Sequence, residues 1–133
     1  MRINQELDPS SYTIRSVNAH EITVMSPAGN GVGFEERTLS NSFVIMPNRL
    51  ISDWPARHVE ELSEPLLTQL KELDPELLLL GTGSRLVFPQ AHVMAEFSDL
   101  GIGLEVMDSA AACRTYNILM HEGRHVAAAI LLP

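Results

Sequence analysis

The sequence predicts a three-layer α/β sandwich with a mixed, largely parallel central sheet and a strand-rich N-terminal half. Three observations carry that expectation. Up to about residue 52, short runs of β-branched and apolar residues alternate with turns. From Ser63 onward the apolar period changes from two to 3.6. Between the helical stretches lie short, continuous apolar runs of the kind that form strands covered on both faces.

Taken in order, Tyr12–Val17 and Glu21–Met25 read as strands separated by Asn18-Ala19-His20. SPAGNGVG (Ser26–Gly33) reads as a loop, because its glycines and proline defeat both helix and ladder. It has neither the lysine nor the Gly-Lys-Ser/Thr ending of a phosphate-binding loop, so it is read as a plain connection. Phe43–Met46 is a third strand closed by Pro47, and Arg49–Ser52 a fourth. Ser63 suits an N-cap, Glu64 and Pro65 suit a first turn, and Leu66, Leu67, Leu70 and Leu73 form one apolar stripe that Asp74-Pro75 ends. ELLLLG (Glu76–Gly81) is the next strand. A helix over Ala91–Leu100 follows, with Gly101 as its C′ residue. Ile102–Met107 is a strand, Asp108/Ser109–Met120 a third helix, and Arg124–Leu132 the last strand. Strand, crossover helix and strand make 76–81 and 102–107 parallel neighbours.

Composition bounds the rest. The 133 residues, 45% of them hydrophobic, are read as one domain spanning 1–133. A chain of this size buries roughly two-thirds of its unfolded surface. The lone cysteine, Cys113, excludes an internal disulfide and any multi-cysteine zinc site. No apolar run approaches the ~20 residues that span a bilayer, so no membrane insertion is expected. The start, MRINQELDPSS, has neither an apolar core nor a basic flank, and a cytoplasmic location is expected. The net charge is −8, and residues 53–76 carry seven carboxylates against Arg57 and Lys71. Lys71 is the only lysine, and a chain so poor in cations cannot neutralise many phosphates, so nucleic acid is excluded as a partner. The acidic run reads as a solvated helix face or as a surface for a basic partner.

HEGRH (His121–His125) fits the H-E-x-x-H pattern of zinc peptidases. That chemistry needs both histidines one turn apart on a continuing helix, with the glutamate as general base. Gly123 lies inside the motif and directly before a strand-like tail, so it reads as a helix end. The eight residues after His125 contain no third ligand. His20, His58 and His92 show no ligand spacing among themselves and read as surface residues. No catalytic residue, metal site or cofactor is therefore assigned.

In an open α/β sheet, ligands bind beyond the carboxyl ends of parallel strands. Those ends are Gly81-Thr82-Gly83-Ser84-Arg85 and Asp108-Ser109. The glycines allow a tight turn and exposed N–H groups, Thr82 and Ser84 add hydroxyls, and Arg85 adds a guanidinium suited to an anion. The third helix presents Ala110, Arg114, Asn117 and His121 along one face. Gly81, Thr82, Gly83, Ser84, Arg85, Asp108, Arg114 and Asn117 are thus the expected contacts of a small anion. The plainer reading is that the glycines turn the chain and Asp108 or Ser109 caps the helix. Cys113, in that helix's second turn, is read as a small core residue, although the dipole there modestly favours a thiolate. Glu105 is expected to be buried in mid-strand and ion-paired with Arg85 or Arg114.

ELLLLGTGSR, GIGLEVMDSAAACRTYNIL and the later VAAAILL together resemble the family of small α/β domains that includes mitochondrial complex I assembly factor 3, the Mth938-like domains. The most specific blocks are Gly81-Thr82-Gly83, Glu105-Val106-Met107 and Thr115-Tyr116-Asn117, and the likeness covers roughly residues 12–132. It implies a three-layer α/β fold on a mixed five-stranded sheet, and a role played through protein contacts. A non-catalytic interaction or assembly module with a protein partner is the functional expectation. The alternative is an anion-binding protein or enzyme using the crevice.

Overall fold

The computed structural model describes residues 11–18, 20–27 and 33–133. Strands β1 (Thr13–Val17), β2 (Ile22–Pro27) and β3 (Phe34–Leu39) form an antiparallel sheet in chain order. A second sheet has the order β5-β4-β8-β6-β7, built from β4 (Phe43–Met46), β5 (Arg49–Ile51), β6 (Leu77–Gly81), β7 (Gly103–Met107) and β8 (Val126–Ile130). Helices α1 (Glu64–Glu72), α2 (Ala91–Asp99) and α3 (Ser109–His121) cover it.

The five-stranded sheet is mixed and largely parallel, as expected: β5, β8, β6 and β7 run in one direction and β4 in the other. β6 pairs in parallel with β7 and β8, while β4 is antiparallel to both β5 and β8. After β4 and β5 the chain rejoins the sheet at β6, crosses by α2 to β7, then returns by α3 across β6 to β8. α2 and α3 pack on opposite faces. Leu67 and Leu70 of α1 and Val93 and Phe97 of α2 share one core with Leu78 and Leu80. Ala112, Cys113, Tyr116 and Met120 of α3 share the other with Leu79, Ala128 and the apolar residues Ile14, Ile22 and Val24 of the small sheet. The fully buried runs in β6 and β8 are the central strands their composition predicts.

Helix ends follow the local chemistry. Gly101 (φ +75°) and Gly123 (φ +83°) each take the left-handed conformation after a helix. After α3, the Gly123 and Arg124 N–H groups donate to the Met120 and Leu119 carbonyls, and after α2 Gly101 and Ile102 do the same to Ser98 and Phe97. Both are the paired closing bonds that satisfy a helix's last carbonyls. Ser63 stands at the α1 N-cap without a side-chain bond, whereas the Asp108 carboxylate accepts the Ala111 N–H at 2.8 Å and caps α3.

Three expectations change. β2 runs on through Ser26 and Pro27, into the stretch read as a loop, and the rest of that stretch up to Val32 lies outside the described residues. β3 has no counterpart in the sequence reading, because FEERTL is polar on both faces and mostly exposed. β7 is not covered on both faces: it forms an edge of the sheet, and Glu105 is exposed there. Among the described residues Glu105 makes no ion pair, so the expected bond to Arg85 or Arg114 does not form. No described helix is long and apolar enough to cross a membrane.

Candidate functional site

The carboxyl ends of β6, β7 and β8 all open on one edge of the sheet, as parallel pairing requires. A cleft of about 540 Å³ lies there. Gly83 and Ser84 enter it from the end of β6, Asp108, Ser109 and Ala110 from the end of β7, and Leu132 and Pro133 from the end of β8. The β1–β2 hairpin supplies the opposite wall with Val17, Asn18, His20 and Ile22.

Ser109 knits this edge. Its hydroxyl accepts the Gly83 N–H and donates to the Leu131 carbonyl, each at 2.8 Å. The Ser109 N–H in turn donates to the Gly83 carbonyl at 2.8 Å, and the Thr82 N–H to the Met107 carbonyl at 2.9 Å. The closeness explains Gly81, where an added Cβ would stand 2.9 Å from the Ser109 Cα. Gly83 has φ +98°, which an L side chain rarely adopts. The Thr82 hydroxyl, buried, donates to the Arg85 carbonyl and accepts the Val87 N–H, fixing the turn after β6.

The expected anion contacts therefore separate into three groups. Gly83, Ser84 and Asp108 line the cleft. Gly81 and Thr82 form the scaffold behind it, and the N–H groups of Thr82 and Gly83 are already bonded within the protein. Arg85 is exposed on the following loop and is not among the lining residues. Arg114 and Asn117 lie along the groove between α3 and β1. There the Asn117 amide accepts the Ile14 N–H at 2.9 Å and donates to the Ile14 carbonyl, stapling β1 to the helix. The Tyr116 hydroxyl assists by donating to the Tyr12 carbonyl at 2.8 Å. The charge in the cleft wall is the Asp108 carboxylate, with the exposed His20 opposite.

Cys113 is fully buried, and burial pushes its thiol up to about 12. Desolvation outweighs the helix dipole, so the thiolate that the second-turn position favours is not formed at neutral pH. HEGRH is likewise broken by geometry. α3 stops at His121, Gly123 turns the chain, and the His125 N–H donates to Glu76 Oε1 at 2.9 Å. That bond and the Arg124 guanidinium at 3.0 Å hold the exposed Glu76 carboxyl below its ordinary range.

Sequence reasoning missed Asn18 and His20 as cleft residues and Ser109 as its tie. No spacing in the chain joins residue 18 to residue 132. Only the packing of the small sheet against α3 brings them together. Ser109 was legible as a helix-start serine, but not as the donor to the Leu131 carbonyl, 22 residues onward at the end of β8.

Residues 14–131 match the family described as a protein of unknown function, DUF498/DUF598. The chain belongs to this family. Among DUF498/DUF598 relatives, "NADH dehydrogenase [ubiquinone] 1 alpha subcomplex assembly factor 3" of Bos taurus is 32% identical over 106 residues, 71% of this chain and 58% of the bovine protein. The chain thus spans less than two-thirds of that relative. The Danio rerio protein of the same name is 30% identical over 98% of this chain and 76% of its own length. A solution structure from Xanthomonas campestris is similar at TM-score 0.77 and 38% identity, covering 99% of this chain and 92% of that one. A Bordetella pertussis protein described as a Mth938-like domain has TM-score 0.75 and 27% identity over 99% and 92%. The Mth938-like resemblance read from the sequence is therefore the right one, and the five-stranded sheet it implied is present.

Proposed function

We propose that the chain is a non-catalytic, cytoplasmic interaction module of the assembly type, presenting the loop between β6 and α2 to a protein partner. The observation that carries this reading is the exposure of two large apolar side chains on that loop, Leu86 at 52% and Phe88 at 62%. Leu86 and Phe88 stand two residues apart on one exposed loop, where a partner can cover both. Phe88 borders a hollow whose rim carries Glu60 and Glu64, so the fitting partner surface is apolar with basic residues around it. The relatives named as assembly factors support the same class of role.

The competing reading is a small anion held in the cleft at the strand ends. Its volume suits such a ligand. Against it stand the Asp108 carboxylate in the wall and the internal bonds of the Thr82 and Gly83 N–H groups.

Quantitative affinity capture with the wild-type chain and a Leu86→Ser/Phe88→Ser variant tests the proposal. A partner retained by the wild type and by Ile118→Ser, but lost from the loop variant at unchanged melting temperature, is the expected result. A parallel thermal-shift screen of anions and nucleotides covers the other reading. Reproducible ligand shifts with no retained partner would reverse the order.

A further inference from the structure

Glu64, His92 and Glu96 bring one imidazole and two carboxylates together, with a ligand atom of each within 4.8 Å of the others. His92 and Glu96 stand four residues apart on α2 and so share a helix face. Glu64 is the first residue of α1, which packs on the same side of the sheet. We propose that these three residues form a binding site for a divalent transition metal of the zinc class, clipping the start of α1 to α2.

The donor set fits that class. Imidazole with carboxylate oxygens suits zinc and its neighbours better than calcium or magnesium, which take oxygen ligands. Zinc lies at about 2.0–2.2 Å from such donors, which places tetrahedral donors about 3.4 Å apart. The exposed side chains of Glu64 and His92 close that gap by rotation. Glu96 is the fixed member. It is half-buried and ion-paired to Lys71, whose ammonium lies 5.8 Å from the centre of the Phe97 ring. Glu64 and His92 also line the hollow of about 380 Å³ beside Phe88, which leaves room for water to complete the coordination shell. Three protein ligands with an open fourth position make a site that a partner's side chain could also enter.

The site is independent of HEGRH, and calorimetric titration of the metal-stripped chain with zinc and with cobalt(II) tests it. One equivalent of each metal should bind, cobalt should give visible absorption, and zinc should raise the melting temperature. His92→Ala and Glu64→Gln should each weaken binding by roughly tenfold or more. A His121→Ala/His125→Ala variant should bind like wild type. All these positions are exposed, and urea midpoints of the variants will verify that the fold is kept. The proposal is overturned if the wild type binds neither metal. It is overturned equally if binding survives His92→Ala and Glu64→Gln, or is lost with His121 and His125.

Discussion

The Ser109 hydroxyl accepts the Gly83 N–H at 2.8 Å, joining the first residue of α3 to the turn after β6. The same oxygen donates to the Leu131 carbonyl at 2.8 Å, so one side chain ties the ends of three parallel strands. A donor that could have faced a ligand is spent inside the protein.

Ser109→Ala should therefore cost more than its size implies. It leaves the buried Gly83 N–H and Leu131 carbonyl without their partner, and an unmet buried polar group costs about 1–3 kcal/mol. The expected result in urea is a clear loss of stability, with faster hydrogen exchange at the Gly83 amide. Ser84→Ala, at the exposed neighbouring position, should stay within about 0.5 kcal/mol of wild type. Equal stabilities for the two variants would contradict the tie.

Most of the framework was legible because local chemistry and tertiary position agree. Gly101 and Gly123 end helices in the sequence and in space, and Leu77–Leu80 and Val126–Ile130 look buried and are. β3 was hidden because it is the outer, mostly exposed strand of the small sheet and asks for no apolar pattern. The error at Glu105 came from sheet order. A strand flanked by crossover helices looks central, but the return through α3 places β8 beyond β6 and leaves β7 at the edge. The site was half legible for a similar reason. The strand ends could be named from the chain, yet which of their side chains share a cleft depends on the β1–β2 hairpin. The grouping of Glu64 with His92 and Glu96 needs α1 beside α2, which no spacing reveals.

The exposure of Glu105 reverses what its substitution would do. A carboxylate in a buried pair costs about 3–5 kcal/mol when its charge is removed. At an exposed edge position without an ion pair, Glu105→Gln should change stability by no more than about 0.5 kcal/mol. A charge on an edge strand also discourages pairing with another chain. Glu105→Val should accordingly leave the urea midpoint close to wild type while raising the concentration dependence of light scattering. A loss above about 2 kcal/mol for Glu105→Gln would restore the buried pair.

Cys113 gives the fold a dependence on alkaline pH whose sign is fixed by burial. Its thiol sits at about 12 in the folded protein, above the ordinary value of 9.0, so the folded state holds the proton more tightly. That contribution is complete below pH 9 and is lost as the pH climbs toward 12. The slope for one such group is about 1.4 kcal/mol per pH unit. Tyr116 is raised in the same direction by burial and steepens the fall higher in the range. Urea unfolding between about pH 7 and about pH 10.5 should show stability declining above pH 9 in the wild type. Cys113→Ala begins less stable, because a buried sulfur is replaced by a smaller group, but its curve should fall less steeply. The two curves should converge with rising pH, and native Cys113 should resist thiol reagents until the chain unfolds. Parallel curves across that range, or rapid labelling of the native protein, would mean that the α3 core admits water at Cys113.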